Sequence, residues 1–237
     1  MASILILDTD DKVALTLEQS FKIIKEDTGS LSTVTRITKP EDLANELQGG
    51  AYEVLFIDYT MMDQSPDKWL DNFRKKTGRK DLPVVVTGFE TELAKIAKFL
   101  EWGYGDYIVK PPDRPLLLEK TLLLATGKRS ETRQVYTQAT SQHADIADKG
   151  AIEELSEFEC TVKTHRAYQI GDVITLYSKV FGEYFKEVGA VLCKCTKIVP
   201  HPSEKGSNHV SFVYFGVLPT TLKNIRTALR KDYVSKK

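Results

Sequence analysis

Four polar residues each end a short apolar run. Asp8 follows Ile4-Leu5-Ile6-Leu7, Asp58 follows Val54-Leu55-Phe56-Ile57, Thr87 follows Val84-Val85-Val86, and Lys110 follows Ile108-Val109. Apolar runs of this length read as strands buried on both faces, the signature of a parallel sheet. Open α/β sheets hold their ligands at the carboxyl ends of their strands. Parallel pairing therefore gathers two carboxylates, a hydroxyl and an ammonium at one edge. That set suits phosphoryl transfer to a carboxylate: one acid attacks, the lysine balances charge on the phosphoryl oxygens, and the hydroxyl bonds to one of them. Magnesium takes hard oxygen ligands and keeps sites for water and phosphate, so acids from neighbouring strands suit it.

The elements that must position these groups alternate strictly. Strands are predicted at Ser3–Leu7, Ser32–Ile37, the run ending on Asp58, Pro83–Val86 and Asp106–Val109. Helices are predicted at Lys12–Glu26, Pro40–Gln48, Pro66–Lys75, Thr91–Glu101 and Pro112–Thr126, with Gly49-Gly50 stopping the second. Strict alternation implies parallel pairing and right-handed crossovers, a doubly wound, flavodoxin-like α/β domain over residues 1–126. Residues 127–136 are a polar, basic linker, and the helical period is lost beyond them. Short alternating runs at Gln134–Thr140, Cys160–Thr164, Val173–Tyr177, Gly189–Ile198 and Val210–Val217 predict a small β-barrel or sandwich over 137–237. Thr220–Lys231 closes the chain as a helix with Leu222, Ile225 and Leu229 along one side.

Composition removes several classes of function. With 33 basic and 33 acidic residues the chain has no net field to hold nucleic acid or an anionic membrane. No run approaches the roughly 20 apolar residues of a membrane span. The first strand follows Met1-Ala2-Ser3 without a charged leader, so a cytoplasmic location is expected. Cys160, Cys193 and Cys195 are too few for a disulfide framework, and Cys193 and Cys195, two apart in a strand-like run, are expected as buried thiols on one face. The four histidines are scattered along the chain, and no metal site is expected from them.

Residues 1–126 resemble the receiver domain of bacterial two-component response regulators. The matching positions are Asp8, Asp58, Thr87 and the segment Tyr107-Ile108-Val109-Lys110-Pro111. The resemblance implies that Asp58 accepts a phosphoryl group from a sensor histidine kinase. It also implies that Thr87 and Tyr107 then shift together, and that Lys110 contacts the phosphate. The metal set implied for magnesium is Asp8, Asp10, Asp58 and Thr60, with Thr9 standing where receivers usually carry a second acid. Such a protein is not expected to be an enzyme. A phosphorylation-independent scaffold is the alternative. A second class also fits: Ile4-Leu5-Ile6-Leu7-Asp8-Thr9-Asp10 is similar to the first motif of haloacid-dehalogenase-type phosphatases, in which Asp8 would attack and Asp10 would protonate the leaving group.

Arg129 and Arg133, with Glu154-Leu155-Ser156-Glu157-Phe158-Glu159 beginning 21 residues after Arg133, resemble the PilZ domain, a small barrel that binds cyclic di-GMP. The resemblance implies a site made by Arg129, Arg133, Glu154 and Ser156. Glu154 stands where that family has Asp or Asn, and Glu159 where it has Gly. No DNA-binding motif is present, so output through protein contacts is expected. The helix carrying Leu116-Leu117-Leu118 and Leu122-Leu123-Leu124 is apolar on more than one side, which predicts a homodimer seam on the face of the fourth helix, fifth strand and fifth helix.

Overall fold

The computed structural model describes residues 2–28, 31–127, 138–146, 148–185 and 190–235. The chain divides into two compact units, residues 1–133 and 134–237. The first unit alternates β1 (Ala2–Leu7), α1 (Asp11–Thr28), β2 (Leu31–Ile37), α2 (Leu43–Gly49), β3 (Val54–Asp58), α3 (Pro66–Thr77), β4 (Val84–Gly88), α4 (Leu93–Glu101), β5 (Asp106–Val109) and α5 (Arg114–Thr126). Its five strands pair in parallel in the order β2-β1-β3-β4-β5, the flavodoxin-like order that switches direction at β1 and β3. Every residue of β3 and β4 is buried, as their uninterrupted apolar runs require. Ile4, Ile6, Phe56, Val85 and Ile108 from the sheet pack with Leu17 and Phe21 of α1 and with Leu117, Leu118 and Leu122 of α5.

Two predictions about helices change. The Pro40–Gln48 helix opens instead as a 3-10 turn over Pro40–Asp42, and the α-helix starts at Leu43. On α5, Leu116, Leu117, Leu118 and Leu122 are all buried within the single chain. The apolar surplus that predicted a homodimer seam is therefore not left exposed at these four positions.

The second unit carries β6 (Gln138–Ile146), β7 (Asp148–Leu155), β8 (Glu159–Thr164), β9 (Val173–Ser178), α6 (Lys179–Phe185), β10 (Ala190–Pro200), β11 (Asn208–Phe215) and α7 (Pro219–Ser235). All neighbouring strands are antiparallel and close a barrel in the order β10-β11-β8-β7-β6-β9. Cys193 and Cys195 are free thiols in its core, as the sequence predicted, and so is Cys160, beside Ile152, Val162, Phe181 and Phe212. Leu222, Ile225 and Leu229 of α7 are buried. Sequence reading missed β7 and α6. Among the described residues no helix is long and apolar enough to cross a membrane.

Candidate functional site

Strand register brings the four predicted residues to one edge. Leu7 lies beside Ile57, Asp58 lies beside Thr87, and Gly88 lies beside Val109. The residues that follow β1 and β5 are then Asp8 and Lys110, and the Lys110 N–H donates to the Gly88 carbonyl at 2.8 Å. All four side chains are withdrawn from solvent: Asp8 is 1% exposed, Asp58 5%, Thr87 1% and Lys110 5%.

Lys110 is the centre of this group. Its Nζ donates to Asp8 Oδ2 at 2.7 Å and also to Asp58 Oδ2. Asp8 Oδ1 accepts from the Asp10 N–H at 2.9 Å. Asp58 Oδ1 accepts from the Thr60 N–H at 2.7 Å and from the Thr60 hydroxyl. Burial by itself raises the Asp58 pKa, but the Lys110 ammonium and the two Thr60 donors outweigh it and hold the carboxyl below its ordinary value. Asp58 is therefore held as the ionised carboxylate at neutral pH. The Lys110–Pro111 peptide is cis.

The donor set implied for magnesium is not assembled as predicted. All four oxygens of Asp8 and Asp58 already accept from protein donors, and the ammonium of Lys110 stands where the two carboxylates meet. Asp10 turns the other way. Its Oδ1 accepts from the N–H groups of Lys12 and Val13 at 3.0 and 3.4 Å and so caps α1. Asp8, Asp10 and Asp58 do not converge as a cluster of ligand atoms among the described residues. Thr60 acts as a donor to Asp58 through its N–H and hydroxyl. A divalent cation asks for several oxygens around one point, and this arrangement offers them only if Lys110 moves.

The aromatic side of the site is well packed. The Thr87 hydroxyl turns back to the Ile57 carbonyl at 3.4 Å. The Tyr107 ring is buried against Phe99 with centroids 5.0 Å apart, and its hydroxyl accepts from the Glu90 N–H at 2.9 Å. Burial pushes the Tyr107 pKa up to about 12. Phe99 also meets Tyr59, Trp102 and Tyr104. A cavity of about 480 Å³ opens beside Asp58, and Phe89, Lys95, Lys98, Trp102 and Tyr107 are among the residues that line it. Asp8 does not line it. Phe89 directly follows β4 but carries no polar group, and Lys95, Lys98 and Trp102 belong to α4 and its C-terminal end, away from the polar strand ends that the sequence makes visible.

The predicted cyclic di-GMP residues fare differently. Arg129 and Arg133 lie outside the described residues. Glu154 is exposed near the end of β7. Ser156 is 1% exposed and serves the β7–β8 turn. Its Oγ accepts from the N–H groups of Phe158 and Glu159 at 3.2 and 3.1 Å, and its own N–H donates to the Glu159 carbonyl at 2.8 Å. The Ser156 hydroxyl is thus engaged with the turn backbone.

No protein-family model and no curated protein matches the chain. Solved structures similar to it include a Francisella response regulator receiver domain, at 23% identity and TM-score 0.44, over 54% of this chain and 98% of that one. A putative response regulator from Chloroflexus aurantiacus is similar at 20% identity and TM-score 0.45, over 52% of this chain and 97% of that one. The N-terminal signal receiver domain of a Bacteroides fragilis two-component response regulator is similar at 25% identity and TM-score 0.44, over 53% of this chain and 98% of that one.

Proposed function

We propose that the first unit is a receiver-type signalling module of a two-component system, and that Asp58 accepts a phosphoryl group from a phosphohistidine of a sensor kinase. The observation that carries this reading is the ionised Asp58 carboxylate, held by Lys110 and lining the cavity beside Tyr107. In the transfer an Asp58 oxygen forms a bond to phosphorus, the P–N bond breaks, and the imidazole leaves with the electron pair. Lys110 exchanges its contact with Asp58 for the phosphoryl oxygens and balances their charge. Thr87, beside Asp58 in register, supplies a hydroxyl to them. The barrel passes the signal to a protein partner.

Millimolar acetyl phosphate, with magnesium and separately with a chelator, tests this by intact-mass measurement. A single phosphoryl adduct that disappears in Asp58→Asn is expected. No adduct under either condition would sink the reading.

A phosphorylation-independent scaffold is the second reading. It is favoured by one observation: every oxygen of Asp8 and Asp58 is already satisfied. The phosphatase reading is the weakest. Its nucleophile Asp8 does not line the cavity, and its acid Asp10 caps a helix.

A further inference from the structure

Histidines that are scattered in sequence meet on the barrel. His201 directly follows β10, His209 sits on β11, and Glu153 sits on β7. One ligand atom from each lies within 4.8 Å of the other two. Glu153 is delivered by a bulge. Ile152 pairs with Val162 and Glu154 with Thr161, so two steps along β7 span one along β8 and Glu153 has no opposite residue there. A bulge of this kind re-aims a side chain.

The contacts among the three are those of ligands that lack a common partner. Glu153 Oε2 is 2.6 Å from His209 Nε2, and Oε1 is 3.7 Å from His201 Nε2. The imidazole rings meet with centroids 4.4 Å apart at 75°. His209 Nε2 is buried and, despite its short approach to the carboxylate, makes no properly directed hydrogen bond. A ring nitrogen that faces an oxygen off the hydrogen-bond line suits two ligands of one ion, because the ion lies to the side of the line joining them. Glu153 is 32% exposed and His201 11%, so an ion is reachable and keeps a position open to solvent.

The surroundings support a cation. Lys163 pairs with Glu204 at 3.0 Å, and His165 reaches the same Glu204 at 3.1 Å. With neutral imidazoles, Glu153 and Glu204 against Lys163 leave one net negative charge. Ser203 stands at the other ring nitrogen of His201: its N–H donates to Nδ1 at 3.3 Å, and its hydroxyl, 3.4 Å away, can take an Nδ1 proton in exchange for that bond when a metal takes Nε2. Two imidazoles and a carboxylate select zinc and neighbouring transition ions over magnesium or calcium.

We propose that Glu153, His201 and His209 form a divalent transition-metal site of the zinc class, which fastens the β10–β11 hairpin to the bulge of β7 and leaves a coordination position for solvent or an external ligand. Zinc titration of the metal-free full chain, in competition with a chromophoric chelator and with millimolar magnesium present, tests it. One equivalent of zinc per chain is expected. Loss of outer partners at such sites costs 10- to 100-fold in affinity, so loss of a direct ligand in His201→Gln, His209→Gln or Glu153→Gln should weaken binding at least about tenfold. His165→Ala should bind as the parent does. Zinc should also raise the thermal midpoint of the parent but not of the variants. If His209→Gln fails to fold, His201→Gln and Glu153→Gln carry the test. Absence of a one-equivalent complex, or affinity unchanged in these variants, would overturn the proposal.

Discussion

The Tyr107 hydroxyl occupies the space that a side chain at position 88 would need: a Cβ built on Gly88 falls 2.4 Å from Tyr107 Oη and 3.3 Å from Cζ. Glycine directly after Thr87 is thus the condition for Tyr107 lying inward. Gly88→Ala should drive the ring from its place against Phe99 and cost about 1–3 kcal/mol, the usual range for overpacking. Tyr107→Phe keeps the ring and loses only the bond from Glu90 N–H, about 1 kcal/mol. Urea unfolding of the two variants checks the order. A Gly88→Ala protein as stable as the parent would mean that the site tolerates the ring elsewhere.

Removing Lys110 should cost more than removing either acid. Lys110→Met leaves the Asp8 and Asp58 carboxylates facing one another, both nearly inaccessible to water. Breaking a buried ion pair in this way typically costs about 3–5 kcal/mol. Asp58→Asn, which leaves Lys110 paired with Asp8, should cost clearly less. Equal losses in the two variants would show that Lys110 does not bridge the acids in solution.

Asp58 also sets a pH dependence. Its folded pKa lies below the ordinary 3.8, so the stability it contributes is complete above about pH 4 and drains away as pH falls through the lowered folded value. Denaturation midpoints between pH 7 and pH 3 should fall less steeply in Asp58→Asn than in the parent. Matching slopes would contradict the assignment.

On the barrel, Ser156→Ala should cost about 2 kcal/mol, because two backbone N–H groups lose their acceptor. Any heat of cyclic di-GMP binding should survive that change in the folded variant and vanish in Arg133→Ala. A folded Ser156→Ala protein that loses the heat would make Ser156 a ligand contact.

The first unit was legible because parallel strands buried on both faces show as plain apolar runs, and each run ends on the residue that matters. Cap chemistry was harder to read. Asp8, Asp10 and Asp11 are all short acids near a helix start, and only geometry shows that Asp10 caps α1 while Asp11 pairs with Arg36. In the barrel, β7 was missed because the bulge at Glu153 breaks the two-residue alternation. The helix α6 was missed because a helix of seven residues leaves too short a period to read. One signal for the histidine cluster was available. His201 and His209 flank the predicted Pro202–Asn208 turn almost symmetrically, and a hairpin there must bring them together. Glu153 could not be found that way, since its strand was not seen.

Closure of the barrel depends on a narrow seam. Among the described residues, strands β6 and β9 join through two residue pairs, Ala144 with Ser178 and Asp145 with Tyr177, whereas β10 and β11 pair along eight. Unzipping there would free two raw edges, each a template for another strand. Amides of β9 that face β6 should exchange with deuterium well before those between β10 and β11. A concentrated sample should oligomerise, if it does so at all, by trading strands across this seam, and a disulfide engineered across it should prevent the exchange.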